Sequence, residues 1–236
     1  MSGFAMWWAG FWASFADTME YVWILLPSLL RGALMTLELF ALTLALALPL
    51  ALPISLGSIS KLPPLRWLCK TYILIFRGTP LMLQLFFFYF FLPITMGIML
   101  DSFTTAVLTF VLNYAAYFAE IYRAGIQSID KGQHEAAQSL GLTKAQTMFG
   151  IIIPQMIRRV LPPVSNEAIT LVKDTALVSV IGAAEMMLAA KGAVNRDVNV
   201  MAYAIAAVIY LLFTFVLTVI SAKLEKHYSK HENGAI

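Results

Sequence analysis

Charge is what this sequence lacks. Only 12% of its 236 residues are charged and 60% are hydrophobic, with a mean hydropathy of +0.79; a soluble domain usually carries about twice that charge fraction. The shortage is concentrated, with no charged residue from Leu39 to Ser60, Gly78 to Leu100, Ser102 to Ala119 or Val198 to Ala222. A soluble fold with buried core helices would still need polar faces, and residues 198–222 have almost none. A single cysteine, Cys69, excludes an intrachain disulfide and fits no metal motif. No Lys or Arg precedes Arg31, so the N-terminus lacks the positive region of a cleaved signal peptide. The net charge of +3 forms no basic patch, which argues against nucleic acid as a partner. His227 and His231 lie in a short charged tail with no third ligand and read as solvated residues.

What is present is a series of apolar runs long enough to cross a bilayer, for which a helix needs roughly 20 largely apolar residues. The expected fold is an all-α integral membrane protein with about five spans, at about 32–56, 68–92, 103–121, 161–190 and 198–222. Together, residues 32–222 form one transmembrane domain. Residues 1–31, rich in Trp and Phe, form an extracytoplasmic or interfacial segment in which Trp7, Trp8, Trp12, Tyr21 and Trp23 suit the headgroup layer. Residues 223–236 form a charged tail. With five spans the termini lie on opposite sides. Placing the tail in the cytoplasm puts twelve Lys and Arg residues on that side and only Arg31, Lys191 and Arg196 outside, with Lys173 unassigned. That bias follows the positive-inside rule and predicts an outside N-terminus.

Residues 123–160 form the longest polar stretch, expected on the cytoplasmic side. Asp130 is placed to cap a helix carrying Glu135, Ala136 and Ala137, and Gly141 ends it. Thr143 can cap a second short helix, limited by Pro154, with Met148, Phe149, Ile152 and Ile153 as an apolar face offered outward. A linker between neighbouring helices does not need some 40 residues, so the segment reads as a docking surface for a cytoplasmic partner.

Here the sequence resembles a known family. Glu135-Ala136-Ala137, Gly141, Ile151 and Ile153-Pro154 follow the spacing of the EAA motif of binding-protein-dependent ABC importer permeases, with Ile153 where leucine is usual. Phe76-Arg77-Gly78-Thr79-Pro80-Leu81 with Gln84 is similar to the FRGTP-type signature of the polar amino acid and opine branch. So are the blocks around Tyr117–Gly125, Ser165–Glu167 and Leu171–Thr175. The resemblance covers roughly residues 30–222. It implies a type I ABC importer permease, the membrane-spanning subunit of an ATP-driven importer in a bacterial inner membrane. Its partners would be a second permease, identical or homologous, a cytoplasmic ATPase dimer and a periplasmic or lipid-anchored binding protein. It implies that Glu135, Ala136, Ala137, Gly141, Ile151, Ile153 and Pro154 belong to the ATPase-coupling motif. The chain has no GxxxxGK[ST] phosphate loop. It is therefore expected to be no enzyme, to bind no cofactor or metal, and to leave ATP to the partner subunit. An ATP-independent channel or secondary carrier is the competing class, although such carriers are often built from internal repeats and none stands out here.

Ionisable residues inside spans usually face the bundle or a water-filled cavity. Arg77, Asn113, Glu120, Lys173, Asp174 and Thr175 are therefore the expected residues of a translocation path or gate. Lys173 and Asp174 are adjacent and so should point to separate partners. Glu120 and Arg123 stand three apart, a local helix pair.

Overall fold

The first helix is far longer than one crossing requires. The computed structural model describes residues 3–229, with side chains from residue 16 to residue 228. The remaining residues, including His231 and the end of the expected tail, and the side chains of Trp7, Trp8 and Trp12, lie outside the described residues. Helix α1 runs unbroken over Gly3–Ser58. The boundary expected near residue 31 is not a break. Pro27 removes one helical donor, but Leu25, Leu29 and Ala33 are buried against Met186 and Ala190 of α9 (Met186–Asp197) and Ala202 and Ala206 of α10 (Met201–Ser229). Tyr21 adds a hydrogen bond, its hydroxyl donating to Asp197 at 2.9 Å. Residues 3–31 thus belong to the same continuous helix as residues 32–58.

The second span, expected over 68–92, is broken in two, helix α2 (Pro63–Gly78) and helix α3 (Leu81–Phe86). Pro80 cannot donate to Phe76, and the residue before a proline avoids helical geometry. Thr79 is accordingly extended (φ −118°, ψ 145°). After the break, α3, a π turn (Phe87–Phe91) and α4 (Leu92–Met96) run on at 106° to α2.

Helix α5 (Ser102–Gln127) is the central element. Asp101 caps it, accepting from the amides of Phe103 and Thr104 at 3.0 Å, and the Thr104 hydroxyl beside it holds its carboxyl below the usual carboxylate range. Its Phe110, Ala115 and Phe118 are fully buried against Leu39, Ala47 and Ala51 of α1.

After helix α6 (Lys131–Ser139) and the single turn α7 (Lys144–Thr147), the chain does not stop at Pro154 and restart near residue 161. It passes through a π turn (Met148–Ile152) into α8 (Ile153–Asp174) without a break. In that wide turn the Ile153 amide reaches back to Met148, so the ring of Pro154 is accommodated where a regular helix would kink. A 3-10 stretch (Thr175–Ile181) follows, and α9 turns away by 53°. Among the described residues there is no strand. Three helices are long and apolar enough to cross a membrane, and the two bent pairs bring the spans to five if each pair counts as one.

Helix α1 also makes one close approach. A Cβ on Gly32 would lie 2.6–2.8 Å from the backbone of Glu185 and Met186, so α1 and α9 meet where only glycine fits.

Candidate functional site

Two places concentrate the polar chemistry. The first is the helix break at Thr79–Pro80. Because residue 80 is proline, the Phe76 carbonyl has no helical donor, and side-chain amides supply the replacement. Gln84 donates to it at 2.9 Å and Asn113 of α5 at 3.0 Å. Gln84 also reaches the carbonyl and hydroxyl of Thr79, at 3.1 and 2.7 Å, and its own oxygen accepts from Asn113 at 3.0 Å. Both amides are almost wholly buried, so they serve as braces. Gln84→Leu strips donors from this carbonyl cluster, and an unsatisfied buried polar group costs about 1–3 kcal/mol. A lowered melting temperature in detergent is expected, and an unchanged one would contradict the bracing role.

The brace holds open a cavity of about 470 Å³ between α2, α5 and α8, lined by Arg77, Gly78, Tyr117, Glu167, Thr170 and Asp174, among others. Tyr114 fixes Asp174, its hydroxyl donating at 2.8 Å. The Arg77 guanidinium lies 5.2 Å from the centre of the Tyr117 ring, within cation–π range. Arg77 also stands 3.9 Å from Glu120, which is held far more tightly by Arg123 at 2.5 and 2.8 Å. On that side lies a second cavity of about 780 Å³, where Arg66, Lys70, Arg77 and Arg123 face Glu120. Arg77 thus borders two compartments, one containing two carboxylates and the other predominantly cationic.

Of the residues expected on a path, Arg77, Asn113 and Asp174 line the smaller cavity and Glu120 the larger. Thr175 lines neither; it is fully buried and donates to the Val172 carbonyl at 2.8 Å. Lys173 points away from Asp174, into an apolar groove beside Tyr203 and Tyr210 of α10, and is exposed. Glu167, Thr170, Tyr114 and Tyr117 were not singled out as path residues. The signal was available: Glu167, Thr170 and Asp174 are spaced three and four apart, one stripe of a helix.

The second place is the hairpin of α6 and α7. Asp130 accepts from the Gly132 amide at 2.6 Å. Gly141 is left-handed (φ +73°), with its own amide bonded to Gln138 and that of Leu142 to Ala137, both at 3.0 Å, a Schellman termination. Thr143 and Gln146 complete a reciprocal capping box. The motif divides in two. Glu135, Ala136, Gly141 and Pro154 are exposed, whereas Ala137 and Ile153 are buried and Ile151 packs inward. The apolar face expected to point outward does so only in part: Ile152 and Ile153 pack against Ile126 and Ile129, and Met148 is half-buried. What remains outside is Phe149, 60% exposed, with Leu140 at 79%.

This architecture, with its hairpin between spans, has a counterpart. Residues 47–230 match the family described as binding-protein-dependent transport system inner membrane component. The chain belongs to that family. It is 40% identical over 207 residues to the L-cystine transport system permease protein TcyB of Bacillus subtilis (strain 168), covering 87% of this chain and 88% of that protein. It is 38% identical over 208 residues to the arginine transport system permease protein ArtQ of the same organism, covering 88% and 95%. To the glutamine transport system permease protein GlnP of Escherichia coli (strain K12) it is 36% identical, covering 87% and 94%. Among solved structures, an amino acid ABC transporter crystallised with histidines matches with a TM-score of 0.81 at 36% identity, over 90% of this chain and 98% of that one. The MetNI methionine ABC transporter, at 17% identity and a TM-score of 0.69, shares the fold. This permease therefore has the type I ABC importer fold, is a multi-pass membrane protein, and is a membrane component of a transporter.

Proposed function

We propose that this permease imports polar amino acids or opines across a bacterial inner membrane, together with a second permease subunit, identical or homologous, and a cytoplasmic ATPase dimer. An extracytoplasmic binding protein delivers the substrate, the ATPase alone uses ATP, and this chain contributes the path. The N-terminus lies outside, and the α6–α7 hairpin docks on the ATPase through Glu135, Ala136 and Gly141.

One observation carries the substrate class: the cavity at the helix break offers a guanidinium, Arg77, together with two carboxylates, Glu167 and Asp174. An amino acid presents the complementary pair, a carboxylate and an ammonium, with cationic side chains gaining a second acidic partner. The relatives named for cystine, arginine and glutamine transport support the same class. Lys173 supports the second permease, because an exposed ammonium inside a span is costly against lipid and belongs against protein or water.

The test is uptake in proteoliposomes containing the assembled transporter and its binding protein. Arg77→Gln and Asp174→Asn each remove one charge-assisted contact, and such contacts are worth about 1.5–3 kcal/mol, or about 10- to 100-fold in rate. The expected result is that loss, with substrate affinity of the isolated binding protein unchanged. ATP-independent uptake by the purified chain would favour the channel or carrier instead.

A further inference from the structure

A third cavity, of about 450 Å³, lies between the first turns of α8 and the last turns of α10. Among the described residues, Arg158, Arg159 and Lys226 line it together with the Glu225 carboxylate. Its remaining wall is apolar, from Leu161, Pro162 and Ala222, with Tyr228 at one edge.

Its depth follows from α10. Residues 201–222 carry no charge, and at 1.5 Å per residue they span about 33 Å, the thickness of the hydrocarbon core. Ala222 therefore sits at the hydrocarbon boundary, and Glu225, Lys226 and Tyr228 sit in the headgroup layer. The cavity is apolar at the level of acyl chains and cationic at the level of phosphates. It opens beside a helix whose Leu211, Leu212, Phe215 and Val219 are exposed, a surface suited to lipid. Residues 162 and 163 are both proline, so the carbonyls of Arg158 and Arg159 lack their regular helical donors.

We propose that this cavity binds the phosphate of an anionic phospholipid from the leaflet that faces the α6–α7 hairpin. Basic pockets between spans commonly hold such headgroups. The site adjoins the hairpin physically: Arg159 donates to the carbonyl of Ser128 and lies 3.3 Å from its hydroxyl. Ser128 caps α5 two residues before Asp130 opens α6. Lipid occupancy therefore offsets the positive charge of the wall against which the hairpin is anchored.

The experiment uses the transporter purified with its partner subunits in nanodiscs of phosphatidylcholine with graded phosphatidylglycerol. Lipid retained on the permease chain is counted by native mass spectrometry. Because the count is made on this chain, it stands whether or not an ATPase subunit co-purifies, and a failed assembly is seen separately. Wild type is expected to retain one phosphatidylglycerol per permease. Arg158→Gln with Lys226→Gln should weaken retention about thirtyfold, from two lost surface cations. Glu225→Gln should strengthen it, a gain that damage to the fold would not produce. Basal ATPase rate in pure phosphatidylcholine should be unchanged in both. Equal retention by the double variant, or displacement of the lipid by millimolar inorganic phosphate, would overturn the proposal. So would loss of the ATPase subunit from the double variant, which would mean that protein covers the cavity.

Discussion

Leu140→Asp combined with Phe149→Asp is expected to release the ATPase from the permease and reduce ATP-driven uptake to background. These two side chains are the apolar residues that the α6–α7 hairpin leaves outside, at 79% and 60% exposure, while Ala137, Ile152 and Ile153 anchor the hairpin from within. Buried apolar anchors at protein interfaces are commonly worth about 2 kcal/mol or more each. Two lost together, with carboxylates left to desolvate, weaken docking by about a thousandfold. The fold should survive, because neither residue packs against the bundle. Co-purification of the ATPase and the melting temperature of the permease separate the two effects. Retained co-purification would place the docking surface elsewhere. Glu135→Ala, which removes an exposed carboxylate and no apolar contact, should produce a smaller loss.

Gly32→Val is expected to prevent the bundle from closing. The side chain would enter a space where the Met186 and Glu185 backbone lies 2.6–2.8 Å from the new Cβ, and backbone cannot swing aside as a side-chain tip can. Overpacking costs about 1–3 kcal/mol even where neighbours yield. Here the neighbour is the N-terminus of α9, fixed by the fully buried Glu185, which accepts from the amides of Met187 and Leu188 at 2.7 and 2.8 Å and from the Tyr210 hydroxyl at 2.9 Å. Displacing it disturbs α1, α9 and α10 together. The contrast is Gly192 of the same α9, where an added Cβ meets nothing within 4 Å. Gly192→Ala should be neutral or stabilising by up to about 1 kcal/mol, the helix-propensity gain. Thermal melting of both variants in one detergent is the measurement, and equal shifts would refute the close approach.

How far the sequence revealed this molecule varies from element to element. The charge-free runs located the spans, because desolvating charge in lipid is costly enough to leave a clear mark. Asp130, Gly141 and Thr143 marked the ends of α6 and the start of α7, since capping depends on neighbours a few residues away. Pro154 misled, because whether a proline stops a helix depends on the geometry of the preceding turn, and a π turn is invisible in composition. At Pro80 a break is foreseeable from proline chemistry, but the size of the bend and the burial of Gln84 and Asn113 against the Phe76 carbonyl depend on a contact 37 positions apart. The cavity was legible only in fragments. Arg77 and Asp174 stood out as charges within spans, whereas Tyr117 and Glu167 acquired meaning only once the break brought α2, α5 and α8 around one space.

The uninterrupted passage from α7 into α8 has a mechanical consequence. From Lys144 to Asp174 the chain is a single helical rod, about 45 Å long at 1.5 Å per residue. One end carries the exposed Phe149 and the other the carboxylate that Tyr114 holds at the cavity. A flexible joint between them would dissipate a push applied at the hairpin; a rod transmits it. Tilting that rod by ten degrees would carry its far end roughly 8 Å, enough to widen or close the space around Arg77 without any rearrangement of the residues that line it.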